Sequence, residues 1–150
     1  MALLQSSARI AVNARNEDGM IIKAWEKYVL TFEPLLAEAH AIHWAVILAK
    51  AENWSKIVIE SDSKVCIDAL VLDQICEYNI SVLCVNVKLL ALEFSFYEFC
   101  WVNRKANMVV HTLAKLALAT STLILYSPKN LLALLEEAWF RDFICIVVPA

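Results

Sequence analysis

The 150 residues of this chain are enough for one domain with a substantial core and too few for two comfortable ones. Hydrophobic residues make up 61% of the chain and its mean hydropathy is +0.60, yet its most apolar stretch, residues 109–126, is interrupted by His111 and Lys115, so we expect no membrane span. The formal net charge of −3 lacks the basic excess of most duplex-binding proteins and counts against tight nucleic-acid binding.

The five cysteines form an odd set without a Cys-x-x-Cys pair. This spacing argues against a disulfide framework and against a zinc site, and it favours a reducing compartment. The N-terminus also lacks the basic region and the long apolar stretch of a secretory signal. We therefore expect an intracellular protein, nuclear or cytoplasmic.

The first third of the chain predicts a β-hairpin followed by a long helix. Residues 9–14 and 20–28 are strand candidates, and the Asp18-Gly19 pair between them is a strong signal for a tight turn. Apolar residues then recur at spacings of four and three, which predicts a helix over Pro34–Ala51. The positions concerned are Leu35, Ala39, Ile42, Val46 and Ala49.

The middle of the chain alternates strands and helices. Residues 57–60 suit a strand buried on both faces, and a short helix with Cys66, Ile67, Leu70 and Val71 on one side follows. Asn79 is the candidate cap of a further helix, and the aromatic residues 94–102 predict another strand. The predicted remainder comprises helices over residues 107–119 and 130–140 and an apolar terminus, residues 143–148. This order predicts an α/β fold whose mixed sheet joins an antiparallel hairpin to parallel strands.

Asp62 directly follows the buried strand and is the first candidate functional residue. Open α/β sheets place their ligands at the carboxyl ends of strands, where a carboxylate can hold a metal ion. Asp62 or Ser63 can equally cap the helix that follows. Position alone leaves both interpretations open.

Three segments resemble the plant-type reverse-transcriptase-like ribonuclease H domains related to retroelements, within the ribonuclease H-like superfamily. They are Ala37-Glu38-Ala39-His40-Ala41, Ile59-Glu60-Ser61-Asp62-Ser63-Lys64, and Val102-Asn103-Arg104-Lys105-Ala106-Asn107 leading into Val110-His111-Thr112-Leu113-Ala114-Lys115. The resemblance covers residues 9–119. It implies a ribonuclease H-like mixed sheet flanked by helices over residues 1–120, truncated at its N-terminus, with residues 121–150 as a helical and apolar extension.

Members of that family use a cluster of carboxylates and two magnesium ions to hydrolyse the RNA strand of an RNA–DNA hybrid. The resemblance implies that Glu38 and Asp62 are the metal ligands and that Glu38, Asp62 and His111 are the catalytic residues, with His111 in place of a further acidic residue. A histidine nitrogen is a poor ligand for magnesium. Trp101 stands where the family often has a histidine. The candidate contacts to nucleic acid are Lys64, Arg104, Lys105 and Asn107. Arg104-Lys105 can equally be a solvated charge pair.

We expect the first strand of the family, which carries the central metal-binding aspartate, to be absent, because the first acidic residue is Glu17, inside the predicted hairpin turn. Its absence would leave two inward strand edges unpaired. Residues 9–14 can pair directly with residues 57–60, residues 143–148 can insert between them, or chains can associate edge to edge. We expect direct pairing, together with concentration-dependent self-association.

The sequence therefore favours a degenerate ribonuclease H-type nucleic-acid-binding domain, with magnesium as its cofactor if it is active and RNA or an RNA–DNA hybrid as a weakly bound partner. The main alternative is a non-catalytic interaction or retroelement-remnant domain without nucleic-acid binding, which the pI of about 5.6 supports. An unrelated small-ligand binder is a third reading if the motif matches are accidental. We interpret His40 and His43 as solvated or core-edge residues rather than a metal-binding pair. The five tryptophans are interpreted as core or core-rim residues rather than base-stacking platforms.

Overall fold

The computed structural model describes residues 7–31, 33–105 and 142–150, which contain a mixed sheet of five strands and three helices. The strands are β1 (Ser7–Asn16), β2 (Ile21–Leu30), β3 (Lys56–Ser61), β4 (Phe96–Trp101) and β5 (Asp142–Val148). The helices are α1 (Pro34–Ala51), α2 (Lys64–Val71) and α3 (Tyr78–Ala91). The predicted α/β architecture is confirmed.

The predicted hairpin is formed by β1 and β2, which pair antiparallel from Ser7 opposite Leu30 to the turn. Gly19 adopts a φ of 82°, a left-handed backbone conformation that residues with a Cβ atom rarely adopt. The Oδ1 of Asn16 accepts hydrogen bonds from the backbone N–H groups of Asp18 and Met20 at 3.0 and 2.9 Å. These local bonds explain why the turn could be predicted from its sequence.

The strand order is β2-β1-β5-β3-β4, so the C-terminal strand lies in the centre of the sheet. β5 runs parallel to β1 and antiparallel to β3. The expected direct pairing of residues 9–14 with residues 57–60 is therefore wrong. The apolar C-terminal segment is instead inserted between these two strands. The inserted strand supplies hydrogen-bond partners to both inward edges, which would otherwise be buried unpaired.

Both faces of β5 are buried, as expected of a central strand. Ile144 and Ile146 are fully buried and belong to the same core as Ile57 and Ile59 of β3. β5 comes from the segment assigned to a C-terminal extension, yet it is a strand of the same sheet. The proposed division near residue 120 lies outside the described residues and stays a prediction.

The predicted helix Pro34–Ala51 is confirmed with its proline in the first turn. It packs against β1, β5 and α3, so its buried surface is wider than the predicted stripe. Among the predicted inward positions, Leu35 is partly buried and the others are fully buried. Additional buried positions are Ala37, Glu38, Ala41 and Ala45.

Ser63 caps α2, since its Oγ accepts a hydrogen bond from the backbone N–H of Cys66 at 3.3 Å. The expected capping role of Asn79 is wrong, because α3 begins one residue earlier, at Tyr78, and has no side-chain cap. The helices predicted over residues 107–119 and 130–140 lie outside the described residues. Within the part of the chain that the structure describes, none of the helices combines the length and apolar character needed to cross a membrane.

An ion pair crosses over β5 on the face of the sheet opposite Ile144 and Ile146. Arg15 of β1 and Glu60 of β3 belong to strands that are separated by β5, and their Nη2 and Oε1 atoms are 2.8 Å apart. Cys145 lies opposite Glu60 in the strand register and is fully buried. Burial raises the pKa of the Cys145 thiol to about 11. The ion pair and the buried thiol both depend on the position of β5 between β1 and β3.

Candidate functional site

Glu38 and Ser61 meet at the carboxyl end of β3. Glu38, on α1, is only 3% exposed, and its Oε1 accepts a hydrogen bond from the Ser61 Oγ at 2.7 Å. Ser61 is the last residue of β3 and is fully buried. Its Oγ also accepts a hydrogen bond from the backbone N–H of Ser63 at 3.0 Å. The helix carboxylate is thereby held against the residue that precedes Asp62.

Asp62 lies between the end of β3 and the start of α2. Its backbone carbonyl accepts a hydrogen bond from the Trp101 Nε1 at 3.2 Å. Trp101 ends β4 and is the register partner of Ser61, and the backbone N–H of Val102 donates to the Ser61 carbonyl at 2.9 Å. The structure therefore brings Glu38, Asp62 and Trp101 to one end of the sheet. The roles of the two carboxylates as metal ligands stay predictions.

The central strand contributes an apolar residue at this end, because Ile144 lies opposite Ser61. β5 runs antiparallel to β3, so its first residue, Asp142, is located beyond that pair at the carboxyl end of β3. The predicted apolar terminus begins at residue 143, so the sequence prediction lacks Asp142 as a residue of this region. The available signal was an acidic residue immediately before a strand-length apolar run.

The described side chains do not match the donor set that two magnesium ions require. They contain no group of three or more histidine, cysteine, aspartate or glutamate residues able to hold a metal ion. Glu38 and Asp62 supply two carboxylates, and Glu38 is buried against Ser61. Two divalent ions held close together need more negative charge and more oxygen ligands than this. His111, the third predicted catalytic residue, lies outside the described residues.

Cationic residues follow both parallel strands at this end of the sheet. Lys64 is the first residue of α2, and Arg104 and Lys105 come shortly after β4; all three are exposed. The backbone N–H of Lys105 donates to the Asn103 Oδ1 at 2.8 Å, which orders the turn after β4. Because β3 and β4 are parallel neighbours, these cations are located at the same end of the sheet. Asn107, the fourth predicted contact, lies outside the described residues.

The two histidines of α1 are half-buried side chains at the edge of the core, as expected. Burial and the nearby Lys27 lower the pKa of His40. Burial, His40 and Lys27 lower the pKa of His43. The Lys27 ammonium lies 4.6 Å from the ring centroid of Trp44, which is itself packed against the core. Neither histidine belongs to a metal-binding group among the described residues.

Trp101 differs from the other described tryptophans. Trp25, Trp44 and Trp54 are partly buried against the core, which confirms their core-rim interpretation. Trp101 is 52% exposed, so the same interpretation is wrong for it. It ends β4, which is an outer strand of the sheet that the described residues form. Trp139 lies outside the described residues.

Comparisons with known proteins agree with this architecture. A family model described as reverse transcriptase-like matches residues 3–117. Ribonuclease H1 from the halophilic archaeon Halobacterium salinarum is similar in structure, with a TM-score of 0.57 and 16% identity over 67% of this chain and 87% of that one. The N-terminal ribonuclease H domain of a Mycobacterium tuberculosis protein, solved as a fusion with maltose-binding protein, has the same TM-score and identity over 77% and 97%. No curated protein matches the sequence.

Proposed function

We propose that this chain, which belongs to the reverse transcriptase-like family of ribonuclease H-like proteins, is a nucleic-acid-binding domain whose hydrolytic activity is lost or strongly reduced. The supporting observation is the group of residues at the carboxyl ends of β3 and β4. There, Glu38 and Asp62 lie at the same end of the sheet as the exposed cations Lys64, Arg104 and Lys105. The two carboxylates mark the position of the site, and the cations supply contacts to phosphate.

The proposed loss of hydrolysis follows from the surroundings of the two carboxylates. Magnesium ions in this type of site activate water and stabilise the charge that develops on the phosphate. If magnesium is bound, Glu38 and Asp62 would hold it. However, Glu38 is buried and accepts the Ser61 hydroxyl, and the central strand places Ile144 opposite Ser61. We therefore propose that any magnesium is held weakly.

The proposed binding to nucleic acid is weak and salt-dependent. The chain has a formal net charge of −3, so only a local group of cations can attract phosphates. Each contact between a lysine or arginine and a phosphate releases counterions, and the affinity then falls as salt rises. An interaction domain without nucleic-acid binding is the alternative, and the acidic pI of about 5.6 supports it.

Binding and cleavage of a fluorescently labelled RNA–DNA hybrid test this proposal together. We expect salt-dependent binding that Lys64→Gln weakens and that Lys56→Gln leaves unchanged, since Lys56 begins β3 at the opposite end of the strand. We expect cleavage in magnesium to remain near background in the unaltered chain and in Asp62→Asn, and His111→Asp alone to restore little.

Robust cleavage that disappears in Asp62→Asn would show that the enzyme is intact. Failure of the unaltered chain to bind any nucleic acid at low salt would instead favour the interaction-domain alternative.

Self-association of the chain is a further proposal, and the strand edge involved differs from the inward edges expected from the sequence. β5 fills the two inward edges, so β2 and β4 are the outer strands of the described sheet. β2 includes Lys23, Glu26 and Lys27, whereas β4 has Glu98 as its one charged residue. Charged edge strands resist pairing with other chains. We therefore propose β4 as the edge through which chains associate.

A further inference from the structure

Trp101 is an exposed aromatic residue whose position is fixed by the backbone around the site. Its Nε1 donates to the Asp62 carbonyl at 3.2 Å, and its backbone is paired with Ser61. The side chain nevertheless remains 52% exposed. A tryptophan kept for core packing would bury most of its surface. In Trp101 the indole N–H instead holds the side chain in place, and much of the ring remains accessible to a ligand.

The chemistry around Trp101 suits a ligand with both a flat apolar surface and negative charge. Lys64 begins α2 two residues after Asp62, and Arg104 and Lys105 follow Trp101 by three and four residues. Unpaired nucleotides combine an aromatic base with a phosphate. Proteins that bind single strands likewise combine aromatic side chains, on which bases stack, with cations along the backbone.

We propose that Trp101 is a stacking platform for an unpaired base, and that this end of the sheet binds single-stranded nucleic acid in preference to an RNA–DNA hybrid. The inference rests on the nucleic-acid-binding function proposed above and specifies its ligand. Bases inside a duplex are stacked on one another, so their faces are not available to an exposed tryptophan. Unpaired bases present a face whatever their sequence.

The charge balance of the chain supports the same preference. A duplex binder depends mainly on many phosphate contacts. The chain has a net charge of −3, and its described residues place three cations, Lys64, Arg104 and Lys105, at this end of the sheet, which favours a ligand that needs fewer phosphate contacts. Base stacking adds affinity that does not depend on net charge. Farther along the same face of β4, Tyr97 lies 5.9 Å from Phe99 between ring centroids. The adjacent groove is bordered by the ion pair of Asp73 with Lys88 and by Glu98, so its formal charge is negative. The cationic end, at Trp101, is therefore the place for the first stacked base.

Fluorescence anisotropy with a labelled 12-nucleotide single strand and a 12-base-pair RNA–DNA hybrid, at low and intermediate salt, tests the inference. We expect the unaltered chain to bind the single strand more tightly. Trp101→Ala should weaken that binding by about tenfold or more, and Trp101→Phe should retain part of it. Lys64→Gln should reduce the slope of log affinity against log salt by about 0.7, the value for one phosphate contact on a single strand.

Tyr28→Ala is the matched control, because Tyr28 is also an exposed aromatic residue but lies on β2, at the opposite edge of the sheet. It should leave the affinity for the single strand unchanged. Far-ultraviolet circular dichroism of each variant verifies that the fold is retained. The recovery of affinity in Trp101→Phe then distinguishes the loss of a stacking ring from a loss of structure.

The outcomes separate this inference from the function on which it rests. Tighter binding of the hybrid, with Trp101→Ala unchanged and Lys64→Gln weakened, would overturn the stacking inference and leave nucleic-acid binding in place. Equal weakening by Trp101→Ala and Tyr28→Ala would also overturn it. Failure of the unaltered chain to bind either ligand at low salt would overturn both.

Discussion

Replacing Ile146 by alanine tests the central position of β5. Ile146 is fully buried, lies opposite Ala14 of β1 and Ile59 of β3, and belongs to the main core. Alanine would leave a cavity in a region where strands on both sides prevent collapse. Substitutions of this kind destabilise a protein by about 2–5 kcal/mol. Since whole domains are stable by roughly 5–15 kcal/mol, the expected loss is a large fraction of the total.

Urea unfolding followed by circular dichroism measures this loss. Ile59→Ala is the matched core variant, because Ile59 is equally buried in the neighbouring strand, and it should be destabilised to a similar extent. Val147→Ala alters a partly buried residue of β5 and should cost less. If Ile146→Ala stays within about 0.5 kcal/mol of the unaltered chain while Ile59→Ala shows the full loss, β5 is not a central strand.

Alkylation of Cys145 gives a second measure of the same strand. The thiol is fully buried, and burial raises its pKa to about 11, so reaction requires β5 to open. A loss of 2 kcal/mol raises the open population, and with it the alkylation rate, roughly thirtyfold. Ile146→Ala should therefore speed modification of Cys145, as followed by mass spectrometry. Rapid alkylation of Cys145 in the unaltered chain would contradict the central position of β5 in the sheet.

Two further predictions concern pH and association. Folding lowers the pKa values of His40 and His43 below 6.5, the ordinary value for histidine in an unfolded chain. On acidification the unfolded chain therefore binds protons first, and the free energy of unfolding should decline as the pH falls below 6.5. In urea unfolding at pH 7.5 and 5.5, His43→Gln should reduce this decline, and an unchanged decline would exclude His43 as a cause. Phe96→Lys on β4 should reduce association in sedimentation velocity more than Ile22→Lys on β2 does, and equal effects would argue against the β4 edge.

The elements with strong local signals could be predicted from the sequence. The hairpin follows from Asp18-Gly19, because the turn is stabilised by bonds within a few residues. The helix Pro34–Ala51 follows from its apolar spacing and its N-terminal proline. The capping role of Ser63 was one of two open interpretations, and the bond to Cys66 confirms it. In each case the signal that predicts the element lies within a few residues along the chain.

The position of β5 depends on contacts between distant parts of the chain. Direct pairing of residues 9–14 with residues 57–60 was preferred because it needs no long excursion. However, each doubling of a loop costs only about 0.6 kcal/mol in closure entropy. A buried backbone group without a partner costs roughly 1–3 kcal/mol, and β5 satisfies groups on two neighbouring strands. The continuous apolar run of β5 is typical of a central strand and was the available signal.

The location of the candidate site could be predicted more fully than its internal bonds. The segment around Asp62 indicated a strand end, and the family resemblance added Glu38. Neither indicated that the Ser61 hydroxyl would hold Glu38 or that Trp101 would be anchored to the Asp62 carbonyl. Those bonds depend on the packing of α1 and on the parallel pairing of β3 with β4. Local sequence patterns do not specify such tertiary geometry.

The direction of β5 also limits how a complete carboxylate cluster could form on this sheet. β5 runs antiparallel to β3, so its final residues lie beside the amino end of β3, where Val147 faces Val58. A carboxylate at the end of this strand would be located at the wrong end of the sheet. The first strand that the family resemblance implies would need the same two neighbours, β1 and β3. It could therefore enter the centre only by displacing β5, together with the ion pair between Arg15 and Glu60 that crosses over it.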